Sequence, residues 1–588
     1  MNNFREKANL IWSIADLLRG RYKQADYGKV ILPFTVLRRL DSVLEPTKAA
    51  VLSAYEAHKD KSPEILEAIL NRIANGKFHN HSKFDFYELA KDPNNIASNL
   101  RNYINGYSMG AKEIIKYFKF DEQIEHLEDS DLLYLIIKRF AESSHIFTNV
   151  SSIEMGYIFE ELIRKFAELS NETAGEHFTP REVIKLMVNL LFANDKTALT
   201  QEGIVKTLYD PACGTGGMLS VAEEHLHRMN PDARLEVFGQ EINPESYAIC
   251  KSDMLIKGQN PSNIKFGNTF TQDGLEGATF DYMLSNPPFG VDWKSAEKHV
   301  KDEYLNRGHS GRFGAGLPAI SDGSFLFLQT MIAKMKRGEQ GSRIAIVFNG
   351  SPLFSGGADS GTSNIRKWII ENDMLEAIVA LPDQLFYNTG ISTYIWVVTD
   401  RKSVERRGKV QLINATGAQF ADKDNPFYVK MLRSLGNKRK EIGDVESGKA
   451  DQIGFITNLY FDFAENEYCK IFDNEDFGYS RITVERPLRD ENGEFVLKKG
   501  KVQADANLRD AENVPLKEDV EEYFKREVLP HVADAWIDHS KTKVGYEINF
   551  TKYFYQYKPL RSLAEIRDDI LALEAETDGM IKAVIQTA

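Results

Sequence analysis

The sequence predicts an α/β protein: a doubly wound parallel sheet, preceded by a block of helices and followed by a helical tail. Three observations predict it. After residue 200, short β-branched runs alternate with helix-length segments, the pattern of strands joined by helical crossovers. Before residue 150, apolar residues recur at i, i+3 and i+4 with charges on the opposite face. At the C-terminus, Leu563, Ile566, Ile570, Leu573, Thr577, Met580 and Val584 alternate three- and four-residue spacing, a heptad seam with one polar step.

Taken in order, helices are expected over residues 4–18, 29–43, 131–140 and 155–169, with loops at 77–82 and 92–95. Strands are expected over 204–209, 235–239, 264–266, 280–284, 344–348, 375–380, 394–399 and 410–413. Two long Gly/Ser-rich loops, 307–324 and 354–363, interrupt this block, and loops of that length in a compact domain usually carry function. Residues 481–487 and 494–497, flanking Asp490-Glu491-Asn492-Gly493, read as a hairpin with an Asn-Gly turn. The expected organisation is a helical N-terminal domain over 1–150, a catalytic domain over 151–415, an α/β extension over 416–560 and a terminal helix over 561–588.

Composition excludes several classes. The 588 residues, 42% hydrophobic and 11% aromatic, supply several cores and rule out collagen-like, disordered and low-complexity chains. Cys213, Cys250 and Cys469 cannot all pair and lie far apart, so no disulfide framework is implied and a reducing compartment fits. No apolar run approaches the ~20 residues that span a bilayer. The N-terminal patch Leu10-Ile11-Trp12 follows Arg5-Glu6-Lys7 and precedes Asp16, which makes it an amphipathic helix and not a signal peptide. A cytoplasmic protein without a membrane partner is expected. The 73 Lys+Arg against 86 Asp+Glu leave a net charge of −13, so phosphate contacts with a nucleic acid need a local groove or a partner.

Two motifs carry the chemistry, Asp210-Pro211-Ala212-Cys213-Gly214-Thr215-Gly216-Gly217 and Asn286-Pro287-Pro288-Phe289. Each follows an expected strand and so belongs at the carboxyl edge of the sheet, where doubly wound folds bind ligands. Gly214 and Gly216 let the backbone turn and approach a ligand without a Cβ, and a helix starting near Gly217 aims free N–H groups there. Glu241 ends the next strand, where an acid suits a ribose diol. Neither a third Gly of a dinucleotide fingerprint nor a P-loop is present. In the second motif the prolines make a rigid strap displaying the Asn286 side chain and the Pro287 carbonyl, two acceptors in fixed directions. Two such acceptors draw an exocyclic amine toward tetrahedral geometry and free its lone pair for attack, and Phe289 offers a face to a planar base.

These motifs resemble those of the S-adenosylmethionine-dependent amino-methyltransferases that act on adenine N6. Gly175-Glu176-His177-Phe178-Thr179-Pro180-Arg181 resembles the family's upstream motif over the methionine end of the cofactor; taken alone, it reads as a helix start with Thr179 as N-cap and Pro180 at N1. The likeness narrows to the methylation subunit of type I restriction–modification systems, through residues 156–163, 322–327, Ile365-Arg366, Leu381-Pro382 with Phe386, and the two helical ends. The resemblance implies a Rossmann-like methyltransferase core. It implies cofactor contacts from Glu176, His177, Phe178, Thr179, Pro180, Arg181, Asp210, Ala212, Gly214, Thr215, Gly216, Gly217 and Glu241, and catalysis by Asn286, Pro287, Pro288 and Phe289. Asn268, in Gly267-Asn268-Thr269, stands where the family usually has Asp to meet the adenine amine; it can still accept that bond without the charge.

The implied activity is methyl transfer from S-adenosylmethionine to the N6 amine of an adenine flipped out of duplex DNA. No metal is needed, because the leaving group is already cationic. The implied partners are DNA, a specificity subunit held by the C-terminal helix, a second copy of the chain on that specificity subunit, and a restriction subunit. Two rivals use part of the same evidence: a protein glutamine methyltransferase, and a catalytically silent DNA-binding or assembly subunit. His79-Asn80-His81 reads as a solvated loop, His225 and His227 as no metal pair, Cys213 as packing beneath its loop, and Lys438-Arg439-Lys440 as a solvated face, with contact to phosphates as the alternative.

Overall fold

The computed structural model describes residues 13–74, 76–142, 179–192, 195, 200–338, 341–387, 389–435, 437–445, 448–555 and 562–586, with Met155, Ile158, Phe159 and Leu162. The chain forms two units, Met1–Ile548 and Asn549–Ala588.

The first unit opens with helices from Tyr27–Leu44 to Leu133–Glu142. Tyr27–Leu44 runs through the middle of this block with fourteen of its residues buried, and Phe34 meets Phe120 edge-on and stacks on Phe140. The loop that holds His79 and Asn80 is part of this core and not solvated. Both are about 2–3% exposed; His79 Nδ1 meets Asn71 Oδ1 at 2.8 Å and Asn80 donates to the Tyr103 carbonyl at 3.0 Å. A loop whose polar side chains replace the missing backbone ladder can be buried.

The core sheet has nine strands. β1 (Val205–Asp210), β2 (Arg234–Glu241), β3 (Ile264–Phe266), β4 (Tyr282–Ser285), β5 (Arg343–Phe348), β6 (Leu375–Ala380), β7 (Tyr394–Thr399) and β8 (Lys409–Asn414) follow the expected runs. A hairpin, β9 (Val429–Leu435) and β10 (Lys438–Glu441), stands apart, and β11 (Cys469–Asp473) returns to the edge of the sheet. The order is β3-β2-β1-β4-β5-β7-β6-β8-β11. The sheet is mixed and not wholly parallel as expected: β7 runs antiparallel to β5 and β6, and β11 to β8. A parallel return needs a crossover, usually a helix; the helix Gly361–Glu371 supplies one between β5 and β6. No helix lies among the described residues between β6 and β7, so β7 folds straight back into the slot beside β6.

The helices Gly217–Met229 and Pro244–Lys257 link β1 to β2 and β2 to β3. The second also seats the N-terminal block: its Ala248, Ile249 and Leu255 join the helical core, and Lys77 Nζ donates to the Ile256 carbonyl at 2.9 Å. Beyond the core, β12 (Gly478–Glu485) pairs with Asp510–Pro515, Trp536–Ile537 and Lys543–Tyr546. The Asn-Gly turn forms, with Gly493 at φ +84° and its N–H on the Asp490 carbonyl. However, it closes only the bridge Arg489–Phe495, and the strand's long partner is Asp510–Pro515. The second unit carries the helix Leu563–Gln586.

Candidate active site

Because β1, β2, β3 and β4 are parallel neighbours, the residues that leave their carboxyl ends meet on one edge. Asp210 follows from β1, Glu241 from β2, Asn268 from β3 and Asn286 from β4, and chain order reverses between β1 and β4, the switch point where such sheets open a crevice. A cavity of about 320 Å³ lies there. Thr179, Asp210, Ala212, Gly214, Thr215, Gly217, Glu241, Asn268, Asn286 and Pro288 line it.

The cofactor-loop geometry rests on backbone hydrogen bonds. Gly214 has φ +55° and open space where a Cβ would stand, and its N–H donates to Glu241 Oε2 at 2.8 Å. The Asn243 N–H donates to Glu241 Oε1 at 2.7 Å, so the carboxylate is aimed by two amides. Asn243 also caps the next helix through Glu245 and Ser246 N–H. Gly216 sits differently from the expectation. Its φ is +83°, and an added Cβ would lie 2.7 Å from Cys250 Sγ, beneath the loop. It is needed for the left-handed turn and for packing, not for clearance from a ligand. Cys213 is buried beside Cys250, and its thiol is pushed well up, first by the hydrogen bond with that neighbour and then by burial.

Asp210 is buried to 1%. Its Oδ1 accepts from Ala212 N–H at 2.9 Å and Ser285 Oγ–H at 2.8 Å, while Oδ2 has no hydrogen-bond partner. Burial pushes its carboxyl up to about 7 against the pull of those two donors. Asn286 Oδ1 is likewise buried without a partner. Two buried acceptors on one cavity wall, each lacking a protein donor, call for a ligand that brings donors. S-adenosylmethionine fits this set: an ammonium for an orphaned carboxylate oxygen, and a ribose diol for Glu241.

Other expected residues are placed less directly. The helix Arg181–Phe192 begins one residue later than expected: the Pro180 carbonyl accepts from Val183 and Ile184 N–H, and Thr179 Oγ1 turns to Met218 Sδ at 3.5 Å. Arg181 is buried in its first turn. Pro287, within the strap, is buried and is not among the residues lining the cavity, and Phe289 is half-buried against the apolar core of the sheet and off the cavity wall. Asn268 Oδ1 accepts the Phe270 N–H at 2.8 Å, so one of its acceptor positions is already used. Glu176, His177 and Phe178 lie outside the described residues.

Some lining residues had no sequence signal. Trp293, 3% exposed, is held by Nε1–H on the Ala319 carbonyl at 2.9 Å, and Phe270 packs on Phe327. Gln240 bridges the β3 loop through Gly267 O, Gln272 O and Gly274 N. Arg312, in the first Gly-rich loop, pairs with Glu303 at 2.7 Å and donates to the Thr269 and Phe270 carbonyls. Arg312 thus ties that loop to the segment after β3, and the loop itself reaches the cavity only at Gly323.

A family model described as N-6 DNA Methylase matches residues 151–468, and one described as HsdM N-terminal domain matches residues 7–140. The chain is 26% identical over 484 residues to a type I restriction enzyme methylase subunit of Methanocaldococcus jannaschii, covering 79% of this chain and 82% of that one. It is 30% identical over 267 residues to the HindI methylase subunit of Haemophilus influenzae, 44% and 54% of the two chains. Among solved structures, a type I restriction-modification methyltransferase subunit from Streptococcus thermophilus shares the fold with a TM-score of 0.60 at 21% identity, over 81% of this chain and 97% of that one. With more than half of its residues on the first model, the chain belongs to the N-6 DNA methylase family, S-adenosylmethionine-dependent enzymes that methylate adenine N6 in DNA.

Proposed function

We propose that this chain is the modification subunit of a type I restriction–modification complex, methylating a target adenine that a separate specificity subunit selects. One observation carries the site assignment: Asp210 and Asn286, each with a buried Oδ atom that lacks a hydrogen-bond partner, line one cavity at the switch point of the sheet. When bound, S-adenosylmethionine supplies the methyl group on a sulfonium, already a good leaving group. Glu241, held by Gly214 and Asn243 N–H, takes the ribose, and Asp210 Oδ2 takes the ammonium. Asn286 Oδ1 and the Pro287 carbonyl accept the two N6 hydrogens of the flipped adenine. As those bonds tighten, the nitrogen pyramidalises and its lone pair turns toward the methyl carbon. Asn286 stays neutral, so it orients the amine without acting as a base. As N6 bonds to the methyl carbon, the C–S bond breaks with its electron pair left on the thioether sulfur, and the cationic N6 then gives up one proton to water. Phe289, half-buried against the core of the sheet, fixes the end of the strap and does not meet the base.

The C-terminal helix is assigned to the specificity subunit. Leu563, Ile566, Ile570 and Leu573 are 86, 40, 58 and 62% exposed, an apolar row that a second helix would cover. A second copy on the same specificity subunit and a restriction subunit complete the assembly. The test is tritiated-methyl transfer to DNA by the chain alone and with its specificity subunit. Transfer should be sequence-selective only in the complex. Transfer to protein glutamine, with none to DNA, would overturn the reading.

A further inference from the structure

We propose that the hairpin β9–β10 is a duplex-contacting element beside the active site, with Arg433 and Arg439 on backbone phosphates and Leu432 against the bases. The proposal rests on the reading of the chain as a DNA methylase. Residues 429–441 carry Lys430, Arg433, Lys438, Arg439 and Lys440 against one acid, Glu441, in a chain of net charge −13. Residues 438–440 are not simply a solvated face: the lysines are structural. Lys438 is 3% exposed and pairs with Glu182, in the first turn of the helix that Thr179 precedes, and donates to the Leu385 carbonyl at 3.0 Å. Lys440 pairs with Asp383, and Asn437 and Arg439 N–H donate to the Tyr387 and Gln384 carbonyls, both at 2.8 Å.

These anchors bind the hairpin to the loop that leaves β6, at the same edge as the catalytic strap. Ser285 of β4 is level with Ile346 of β5, Trp396 of β7 and Ile378 of β6. Three strand spacings separate β4 from β6, about 14 Å, within half a turn of B-form DNA, about 17 Å. A duplex laid along this edge of the sheet with a base at Asn286 would reach the hairpin.

The free groups on it point outward for a structural reason. Between the pairs Lys438–Leu435 and Lys440–Lys430 the register slips, and Met431-Leu432-Arg433-Ser434 face the single residue Arg439. Such a bulge pushes side chains off the ladder. Leu432 is fully exposed, at 108% of its reference area, and Arg433 and Arg439 are exposed. Among the described residues the hairpin's ion pairs are made by Lys430, Lys438, Lys440 and Glu441, not by these arginines. A protruding apolar side chain between guanidinium groups suits a polyanion whose bases can be wedged: phosphates neutralise the charge, and unstacking at a flipped base leaves an apolar step to fill.

The test titrates a short B-form duplex into the full chain over a salt series. Removing two phosphate contacts with Arg433→Ala and Arg439→Ala should flatten the slope of log K against log salt by about 1.8. Cofactor affinity measured by calorimetry should stay unchanged, which also shows that the variant is folded. Leu432→Trp should change its emission on addition of duplex, relative to the parent protein. An unchanged slope with a silent indole would overturn the proposal. So would an unchanged slope with lost co-elution of the specificity subunit, which would make the hairpin a subunit interface. Failure of the functional reading has its own signature: a parent protein that binds S-adenosylmethionine, yet transfers no methyl group to DNA in the complex, refutes that reading, and the hairpin proposal with it.

Discussion

Asp210 and Asn286 show what a single residue contributes here. Asn286→Ala removes one of two acceptors that act most strongly on the pyramidal amine, so transfer should fall by about 10²–10³. Cofactor affinity, read by calorimetry, should hold; parent-like turnover would remove Asn286 from the mechanism. The Asp210 carboxyl, raised to about 7, makes cofactor binding depend on pH. A cationic ligand favours the ionised form, so affinity should be flat above about pH 8 and weaken below pH 7, by at most about tenfold per unit. The same shift acts on stability. The unfolded carboxyl ionises near pH 4 and the folded one near 7, so stability is fully present below the lower value and is lost as pH rises through the upper one. Asp210→Asn should therefore raise the urea midpoint at pH 8, toward a limit of about 4 kcal/mol, and remove the pH dependence of affinity. The motif around Asp210 was legible in sequence because glycines, a proline and a strand end are local signals. The orphaned oxygen was not, because its environment comes from Ser285 and Glu241, far along the chain.

At the scale of elements, the loop after β1 and the terminal helix carry predictions. Gly216→Val places a β-branched residue at φ +83° and drives its Cβ into Cys250. It should abolish cofactor binding by moving the loop, and it should lower stability by about 1–3 kcal/mol; near-normal affinity by calorimetry would contradict this. For the terminal helix, Ile570→Glu with Leu573→Glu should abolish co-elution with the specificity subunit while cofactor affinity stays intact. Loss of the helix itself by circular dichroism would instead make the row part of its own fold. A heptad spacing marked the helix and a glycine motif after a strand run marked the loop, both written in neighbouring residues. Periodicity missed the antiparallel insertion of β7, because which slot a strand takes depends on the crossover before it, and it mispaired β12, whose partner Asp510–Pro515 lies beyond the nearest turn.

Across the whole molecule, one buried cluster ties the extension after residue 415 to the catalytic sheet. Arg343 of β5 pairs with Glu376 of β6 at 2.7 Å and donates to Tyr460 Oη and to the Leu190 and Leu191 carbonyls. Tyr460 Oη–H donates to Glu376 from the helix Gln452–Asp462. Glu376→Ala strands a guanidinium that is 1% exposed and should cost about 3–5 kcal/mol in urea denaturation. Replacing both charges by apolar residues of similar volume should cost far less; equal losses would show that the pair's charge is not what matters. The sequence by itself determined the class of this protein, its helical ends, and the motifs after β1 and β4, because those are recorded in local spacing and in residues with restricted backbones. Only the tertiary structure decided which acceptors lack donors, why Gly216 must be glycine, that 79–80 are buried, that Lys438 serves Glu182, and that the hairpin β9–β10 is anchored to the loop after β6. Each of these depends on residues brought together from distant parts of the chain, where periodicity holds no information.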